Sequence, residues 1–569
     1  RTWKELKGEA CIGFEDGFEA KQSICVSRSF AKEITDCAEL CEQIANFASS
    51  MAEKLRQQRS VVTEMAVFAY TNRFKENEPQ TYGNSLVHFE QPTNDQRVIV
   101  SNAVAAAQEE AKKKQEARAK AVAAKKNSAP MDKLLHFGGH GYNSESMQAR
   151  VDEAVAFAEH FQFLNGKGAD LNYIDHTYDN SVKTRLKAAV ADKDLDLAML
   201  HHHGADDTQY LNGSPFVADP QGWIKLARNY FRTKMRSAKD KEKTRARFIE
   251  QYDIPASWCD DAFTPEREKE DSLYAAGMDI FLSDLDGYSS GARMVILDAC
   301  YNGSFNMDDY IAARYIFNPG NTVVVKANSV NTLQDTWTTE LIGLLNWGMN
   351  AGNWAKGQLT LESHLFGDPT FEFGRQDIPS CFGGNKFDVN EAFSFRKDDV
   401  KFWRKVLEAK VADELACDYK SLAIQMLYNN KAITSDELLE IMAGSSSKVL
   451  RLEAFNTIRK IADANFPKAI VLGLNDDYEL LQRLSAMYVG KNFSEELIPA
   501  VVKTCMDPMT SARVLFQIKG NLKGFDAEKL IAQFNKENEE NPYWEGQEAY
   551  GKLINMINNY DKSFKDEIA

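Results

Sequence analysis

Two short apolar segments of this sequence each lead into a residue that can do covalent chemistry. Leu195–Leu200 is followed by three histidines and a glycine, and Met294–Leu297 is followed by Asp-Ala and then Cys300. A short apolar run that ends in turn residues is typical of a buried strand. Because ligands of open α/β sheets bind at the carboxyl ends of strands, we expect the imidazole of His203 to meet the thiol of Cys300 there. A thiolate beside a base is a nucleophile for acyl transfer.

Each motif taken alone has a simpler explanation. A single cysteine after a strand is usually an inert buried thiol. Three consecutive histidines can mark a metal site or an accident of the surface. Successive strand residues point to opposite faces, however, so three in a row on a strand cannot all bind one metal. We therefore interpret the two motifs together as a Cys-His pair, and we expect no metal and no cofactor.

The elements that must position this pair alternate between strands and helices over residues 131–380. A strand and a glycine-rich turn at 134–142 open the unit, and further strands are predicted at 169–174, 195–200 and 322–327, with helices at 151–163, 181–191 and 308–315. Such alternation predicts a parallel sheet with helices on both faces. His140, in the glycine-rich turn, is a second candidate for the base, ranked below His203 because its strand comes first.

Cys300-Tyr-Asn-Gly303 and the later Leu365-Phe-Gly-Asp-Pro369 are similar to motifs of the gingipain family of caspase-clan cysteine peptidases. The resemblance implies a caspase-like fold, a protein or peptide substrate, Cys300 as nucleophile and His203 as general base. It also implies an oxyanion hole formed by the backbone N–H groups of Gly204 and Cys300. One departure is the long spacing between His203 and Cys300, which contains a charged, helix-like insertion around 221–271 that can serve as a lid or substrate-binding feature.

Candidates for the substrate pocket are acidic residues near the predicted pair. A basic substrate side chain needs a carboxylate partner, and Asp335 beside Trp337, or Asp206 and Asp207 just after the histidines, can supply one. Each of these is more often an ordinary surface carboxylate. Asp175 or Asp179 can orient His203, a choice that the sequence leaves open.

Residues 1–108 differ from the rest and predict a small α+β domain, with strands at 21–30, 61–70 and 85–89 and helices at 34–58 and 98–110. The segments 11–15, 27–30 and 74–79 are similar in order and spacing to the little-finger domain of Y-family lesion-bypass DNA polymerases, of the polymerase V type. The resemblance implies that Arg28 and Ser29 contact the DNA backbone through phosphate hydrogen bonds. A solvated strand residue is the alternative for Arg28. The polymerase palm and the last strand of that domain are not found, so we expect an incomplete domain without polymerase activity.

Two further segments complete the predicted domain organisation. Residues 109–130, rich in Ala, Lys and Glu, predict a solvated helical linker. Residues 396–569 are helical in pattern, with similar layers roughly thirty residues apart, and resemble HEAT-like α-solenoid repeats. Such arrays bind a protein partner or brace a neighbour. No apolar run approaches the roughly 18 residues that span a bilayer.

Length and composition fit a multidomain protein with a small α+β N-terminal domain, an α/β caspase-like parallel-sheet domain and a C-terminal all-α solenoid-like region. The 569 residues carry a net charge of −15, which argues against nucleic-acid binding by overall charge, although a local patch can differ. The nine cysteines match neither a zinc pattern nor a disulfide framework.

The main hypothesis is a cysteine endopeptidase that hydrolyses peptide bonds through an acyl-enzyme. The alternatives are a DNA-binding remnant of a lesion-bypass polymerase joined to a non-catalytic scaffold, and a scaffold whose peptidase fold is inactive. Peptidases of this kind indicate the cell envelope or secretion, whereas the polymerase segment indicates the cytoplasm. This conflict, and the start at Arg1, favour a fused or mis-joined reading frame.

Overall fold

The computed structural model describes residues 22–72, 82–126, 128–139, 146–162, 168–177, 181–211, 217–332, 336–358, 360, 362–376, 378–542 and 547–568. Internal contacts divide the chain into an N-terminal unit, Arg1–Ala119, and a C-terminal unit, Lys120–Ala569. An N-terminal α+β region, a largely parallel sheet and a C-terminal helical region are present, as the sequence predicts.

The N-terminal unit is a two-stranded antiparallel sheet with helices on one face. Its elements are α1 (Cys37–Gln57), β1 (Val62–Tyr70), β2 (Tyr82–Thr93) and α2 (Gln96–Lys126). Asp36 caps α1 by accepting the N–H of Glu39 at 2.9 Å. Apolar residues spaced three and four apart on α1 face the sheet, and the small core consists of Ile44, Ala48, Ala52, Leu55, Met65, Ile99 and Ala103.

Two predictions for this part of the chain are wrong. The strand predicted at 21–30 is not formed by residues 22–30, which carry no regular secondary structure. Ile24 and Val26 alternate with exposed neighbours as in a strand, but a strand also needs a hydrogen-bonded partner. The second helix, predicted to end at residue 110, instead continues unbroken as α2 to Lys126, so most of the segment predicted as a helical linker is helical. Ala, Lys and Glu favour helix strongly enough to extend it.

The C-terminal unit is built on a six-stranded sheet in the order β11-β10-β9-β5-β3-β4. Its strands are β3 (Lys133–Gly138), β4 (Asp170–Asp175), β5 (Leu197–His201), β9 (Met294–Asp298), β10 (Val324–Asn328) and β11 (Ser363–Gly367). All neighbours run parallel except β11, which is antiparallel to β10. The central strands are buried throughout because helices cover both faces, which is why they read as continuous apolar runs. Helices α3 (Met147–Glu159), α4 (Val182–Val190), α9 (Ile311–Phe317) and α10 (Ala351–Gln358) connect them.

The insertion between β5 and β9 forms its own small substructure. A three-stranded sheet contains β6 (His203–Gly204), β7 (Thr208–Tyr210) and β8 (Ile280–Phe281). The charged segment predicted as helical forms α5 (Pro220–Ser237), α6 (Lys241–Tyr252), α7 (Ser257–Asp260) and α8 (Pro265–Met278). Its helices enclose Phe231, Met235 and Phe248 in a separate core.

Helices make up nearly all of the chain from residue 389 onward. They are α11 (Val389–Phe395), α12 (Val400–Leu407), α13 (Asp413–Asn429), α14 (Ser435–Gly444), α15 (Lys448–Ile461), α16 (Phe466–Leu474), α17 (Glu479–Asn492), α18 (Ile498–Met506), α19 (Ala512–Asn521), α20 (Ala527–Glu540) and α21 (Gln547–Ile568). Their buried residues join those of the sheet in one continuous core. Within the described residues, no helix combines the length and the apolar character needed to cross a membrane.

Two carboxylates of α3 fix these helices to the sheet. Glu159 accepts the Ser447 hydroxyl and the backbone N–H groups of Lys448 and Val449, at the start of α15. Asp152 accepts the N–H of Glu479, the first residue of α17, at 3.0 Å. Negative charge at a helix N-terminus satisfies unpaired N–H groups and complements the helix dipole. The α3 helix is therefore the connection between the sheet and the C-terminal helices.

Candidate functional sites

The outer face of the β1–β2 sheet carries exposed aromatic side chains. Tyr70 lies opposite Tyr82, and Phe68 lies opposite Asn84, so all four side chains point away from the helices. The rings of Phe68 and Tyr70 lie 6.4 Å apart and within 6° of parallel, and those of Tyr70 and Tyr82 lie 6.5 Å apart. We call Phe68, Tyr70 and Tyr82 the aromatic stripe. Their exposed fractions of 40%, 64% and 60% show that nothing within the described residues covers them.

Arg28 and Ser29 lie in the irregular segment before α1, and both side chains are exposed. Ile24, in the same segment, packs against the small core of the unit. The segment is thereby fixed at one point to the folded unit while its polar side chains remain accessible. Arg28 therefore lies in an irregular segment and not in the strand that the sequence predicts.

Cys300 lies two residues beyond the end of β9, half-buried, at the carboxyl edge of the sheet. Its sulfur accepts the N–H of Thr332 at 3.3 Å and lies 3.8 Å from both the carbonyl and the hydroxyl oxygen of that residue. The next residue, Tyr301, has a φ of 58°, a conformation that costs energy for a side chain of this size. The thiol is thus held against the Thr332 segment by a strained turn.

The histidine motif lies beside this cysteine, as the sequence predicts. Strands β5 and β9 are direct neighbours, and a Cβ on Gly204 would lie 2.4 Å from the carbonyl oxygen of Cys300. Only glycine fits at such a close backbone approach. His203 is exposed and pairs with Tyr210 across the small β6–β7 sheet.

The remaining predicted pocket residues make ordinary local contacts or lie outside the described residues. The Asp207 carboxylate accepts the Thr208 hydroxyl at 2.8 Å, and the Asp206 carbonyl accepts the N–H of Ile311. Trp337 is half-buried, whereas Asp335 lies outside the described residues. His140 and Asp179 also lie outside them.

The carboxylate of Asp175, one candidate for orienting His203, is hydrogen-bonded to other residues. It accepts Nε of Arg150 at 2.7 Å and the Tyr173 hydroxyl at 2.9 Å. Burial acts to raise its pKa, but the hydrogen bonds from Arg150 and Thr177 outweigh burial and lower the pKa to about 2. The carboxylate therefore stays ionised as the partner of Arg150.

A buried histidine–aspartate pair beneath the strand ends was not foreseen from the sequence. His201 Nδ1 lies 2.5 Å from the Asp298 carboxylate, and the rings of His201 and His136 lie 5.1 Å apart. Burial acts to raise the pKa of Asp298, but His201 outweighs it and holds the pKa below its usual value. The signal in the sequence was a histidine and an aspartate ending two apolar runs, but only the strand register places them opposite each other.

Three other buried side chains bring metal-ligand atoms together. Ligand atoms of His160, Cys417 and Asp418 lie within 4.8 Å of one another. Asp418 accepts His160 Nδ1 at 2.8 Å and the Cys417 thiol at 3.3 Å. The Asp418 carboxylate thus binds one ring nitrogen of the imidazole and the thiol directly, whereas Nε2 of His160 is buried with no hydrogen-bond partner among the described residues. Burial, with the nearby Asp418 and Glu159 charges, raises the pKa of Cys417 well above its usual value.

Comparison with known proteins assigns the N-terminal part of the chain. Residues 21–126 match the family model described as the impB/mucB/samB family C-terminal domain. Protein UmuC of Salmonella typhimurium is 41% identical over 105 residues, which are 18% of this chain and 25% of the relative. Protein MucB of Escherichia coli is 29% identical over 175 residues, 30% of this chain and 41% of the relative. The chain thus spans well under half of the length of these relatives, and the search of solved structures returned no match.

These matches overturn the predicted enzyme class. The relatives belong to the lesion-bypass polymerase family and not to the cysteine peptidases, so the prediction that this chain is a cysteine endopeptidase is wrong. The gingipain resemblance has no support in the comparisons. The physical reason is that parallel strands end at one edge of a sheet whatever their chemistry, so a cysteine motif and a histidine motif can share that edge without sharing a reaction.

The other resemblance is confirmed. The matched residues contain the Ser27–Phe30 segment that carried it, and they cover the whole of α1, β1, β2 and α2. The family match over residues 21–126 therefore supports a domain similar to the little finger of Y-family lesion-bypass polymerases.

Proposed function

We propose that this protein binds DNA through residues 22–126, as a little-finger-type domain related to DNA repair by lesion bypass. The observation that carries the proposal is the family match over these residues. The rest of the chain acts as a non-catalytic scaffold in this proposal.

The contacts proposed for the DNA backbone come from the segment before α1. Arg28 carries an exposed guanidinium group and Ser29 an exposed hydroxyl group. Both groups can donate hydrogen bonds to phosphate. Because the whole chain carries a charge of −15, attraction to DNA must be local. We therefore expect few phosphate contacts and modest affinity.

The test is binding of a fluorescent primer–template DNA to the full chain, followed by anisotropy between about 50 mM and about 200 mM NaCl. We expect the association constant to fall with salt, with a slope that reports the number of neutralised phosphates. Absence of binding at the lowest salt contradicts the proposal.

For the C-terminal helices, we propose a bracing role for the solenoid-like array that the sequence predicts. The capping contacts of Glu159 and Asp152 with α15 and α17 support it, since they hold the array to the sheet. Removing both carboxylates, with Asp152→Asn and Glu159→Gln, is expected to lower the stability of the C-terminal unit while the helical content stays the same.

A protein partner for the array is a separate proposal, tested by pull-down with the same variants as controls.

A further inference from the structure

We propose that the aromatic stripe, Phe68, Tyr70 and Tyr82, binds unpaired DNA bases by stacking. The inference rests on the proposed DNA-binding function and adds to it the part of the DNA that this face recognises. Backbone contacts from Arg28 and Ser29 do not distinguish paired from unpaired DNA, whereas a stacking surface does, because paired bases hide their faces inside the duplex.

The first argument is the cost of exposing these rings. Side chains alternate between the two faces along β1. Met65 and Val67 point into the core, so Phe68 and Tyr70 point to the opposite, solvent-exposed face. Both are large aromatic residues, whereas small or charged side chains at these positions would keep an exposed two-stranded sheet soluble. Tyr82 extends the same surface from the partner strand.

The second argument is the geometry of the rings. Phe68 and Tyr70 are almost parallel, and Tyr70 and Tyr82 continue the row across the strands at 6.5 Å. The ring of Tyr82 is tilted by 32° from that of Tyr70, so the row offers three neighbouring π-faces on which successive bases can stack without their sequence being read. Proteins that bind single strands use aromatic platforms of this kind on sheets.

The third argument is the polar setting of the face. Asn84, opposite Phe68, presents an amide on the same face, and amides hydrogen-bond the edges of bases. Lys114 donates to the Tyr82 carbonyl at 2.6 Å, next to one end of the stripe, and also pairs with Glu110 at 3.5 Å. At the opposite end, the Glu64 carboxylate lies 3.2 Å from Nδ1 of His88. Polar and cationic groups around stacked rings fit a nucleic acid better than an apolar protein surface.

The test uses the full chain with two fluorescent probes, an oligothymidine single strand and a blunt duplex of equal length. We expect Phe68→Ala, Tyr70→Ala and Tyr82→Ala each to weaken single-strand binding roughly tenfold, since stacking on one ring contributes about 1–3 kcal/mol per base. Duplex binding is expected to change less than about twofold, and Tyr70→Phe is expected to retain most of the affinity because it keeps the ring.

Phe516→Ala serves as the matched control, because Phe516 is 67% exposed on α19 of the C-terminal unit. Equal single-strand affinity in the stripe variants and the parent protein overturns the inference while leaving the proposed function intact. Equal weakening of both probes also overturns it, since the rings would then not select unpaired bases. If neither probe binds the parent chain at low salt, the proposed function itself fails.

Discussion

The two units of this chain differ in the aromatic content of their cores. In the N-terminal unit, Tyr70 and Tyr82 are among the most exposed large apolar residues, above a core of a few aliphatic side chains. In the C-terminal unit, Trp354, Trp403 and Tyr419 are fully buried in a core that continues from the sheet to the last helix. Buried aromatics contribute to stability, whereas exposed ones remain available to a ligand.

Charged groups follow the same division. The C-terminal unit buries charged pairs, such as His160 with Asp418 and Arg483 with Glu479. The described pairs of the N-terminal unit, such as Glu64 with His88, are largely exposed to solvent. The comparison indicates that the small unit is organised for contact and the large unit for rigidity, which the following experiments test.

The largest effect is expected from breaking a buried pair of the C-terminal unit. Asp418→Ala leaves His160 buried without its partner, and loss of one member of such a pair costs about 3–5 kcal/mol of unfolding free energy. Glu495→Ala is the control, because its ion pair with Lys529 is exposed and is worth less than about 1 kcal/mol. Urea unfolding followed by tryptophan fluorescence measures the loss in both variants. The signal reports mainly on the C-terminal unit, since Trp3 is the only tryptophan before residue 120. Equal losses in the two variants would contradict the claim that the buried charged pairs of the C-terminal unit contribute more to its stability than the exposed ones.

A similar loss is expected in the N-terminal unit from one core residue. Ile99, on α2, is fully buried, and Ile99→Ala removes about 2–5 kcal/mol from a unit with few other buried side chains. Because the units have separate cores, DNA binding is expected to disappear while the tryptophan transition of the C-terminal unit stays unchanged. Val98→Ala, at a 40% exposed neighbour on the same helix, is the control. A shift of the tryptophan transition by Ile99→Ala would show that the two units unfold together.

The buried charges of the C-terminal unit also predict a pH dependence. Burial raises the pKa of Glu153 to about 7, with the nearby charges of Arg483, His201, Glu479 and Asp298 as smaller influences. The unfolded carboxyl has its ordinary pKa near 4.5. Between these values the unfolded state loses its proton first, so stability falls as pH rises from about 4.5 to 7, by about 3 kcal/mol in total.

Glu153→Gln removes this titration. We expect the difference in urea midpoint between the variant and the parent protein to grow in favour of the variant from pH 5 to pH 8. Comparing the two proteins at each pH cancels the other titrating groups, including Glu340, whose pKa burial also raises to about 7. A difference that does not change with pH would show that Glu153 titrates normally.

The smallest effect concerns the N-terminal surface. Arg28→Ala removes one phosphate contact, so we expect DNA affinity to drop a few-fold for any sequence and the salt slope to decrease by about one. Arg247→Ala, at an exposed arginine on α6, is the matched control. An unchanged salt slope for Arg28→Ala would remove Arg28 from the interface, leaving the aromatic stripe as the remaining contact.

The sequence by itself determined the local elements of this protein. Period-two alternation and apolar runs located β1, β5 and β9 within a residue or two, and the apolar spacing of α1 located that helix. The motifs around Ser27–Phe30 also indicated the little-finger resemblance that the family match supports. A motif of given residue types at fixed spacing can be recognised in a single sequence.

Only the tertiary structure decided which of those residues act together. His160 and Asp418 are 258 positions apart, so no local pattern could pair them. Residues 22–30 have strand-like alternation but form no strand, because strands depend on a partner. The strands that lead to Cys300 and His203 are neighbours, yet this follows from parallel topology, and the comparisons contradict the peptidase class inferred from it. The exposure of Tyr70 and Tyr82 on one face likewise depends on register, which is a property of two strands and not of either segment alone.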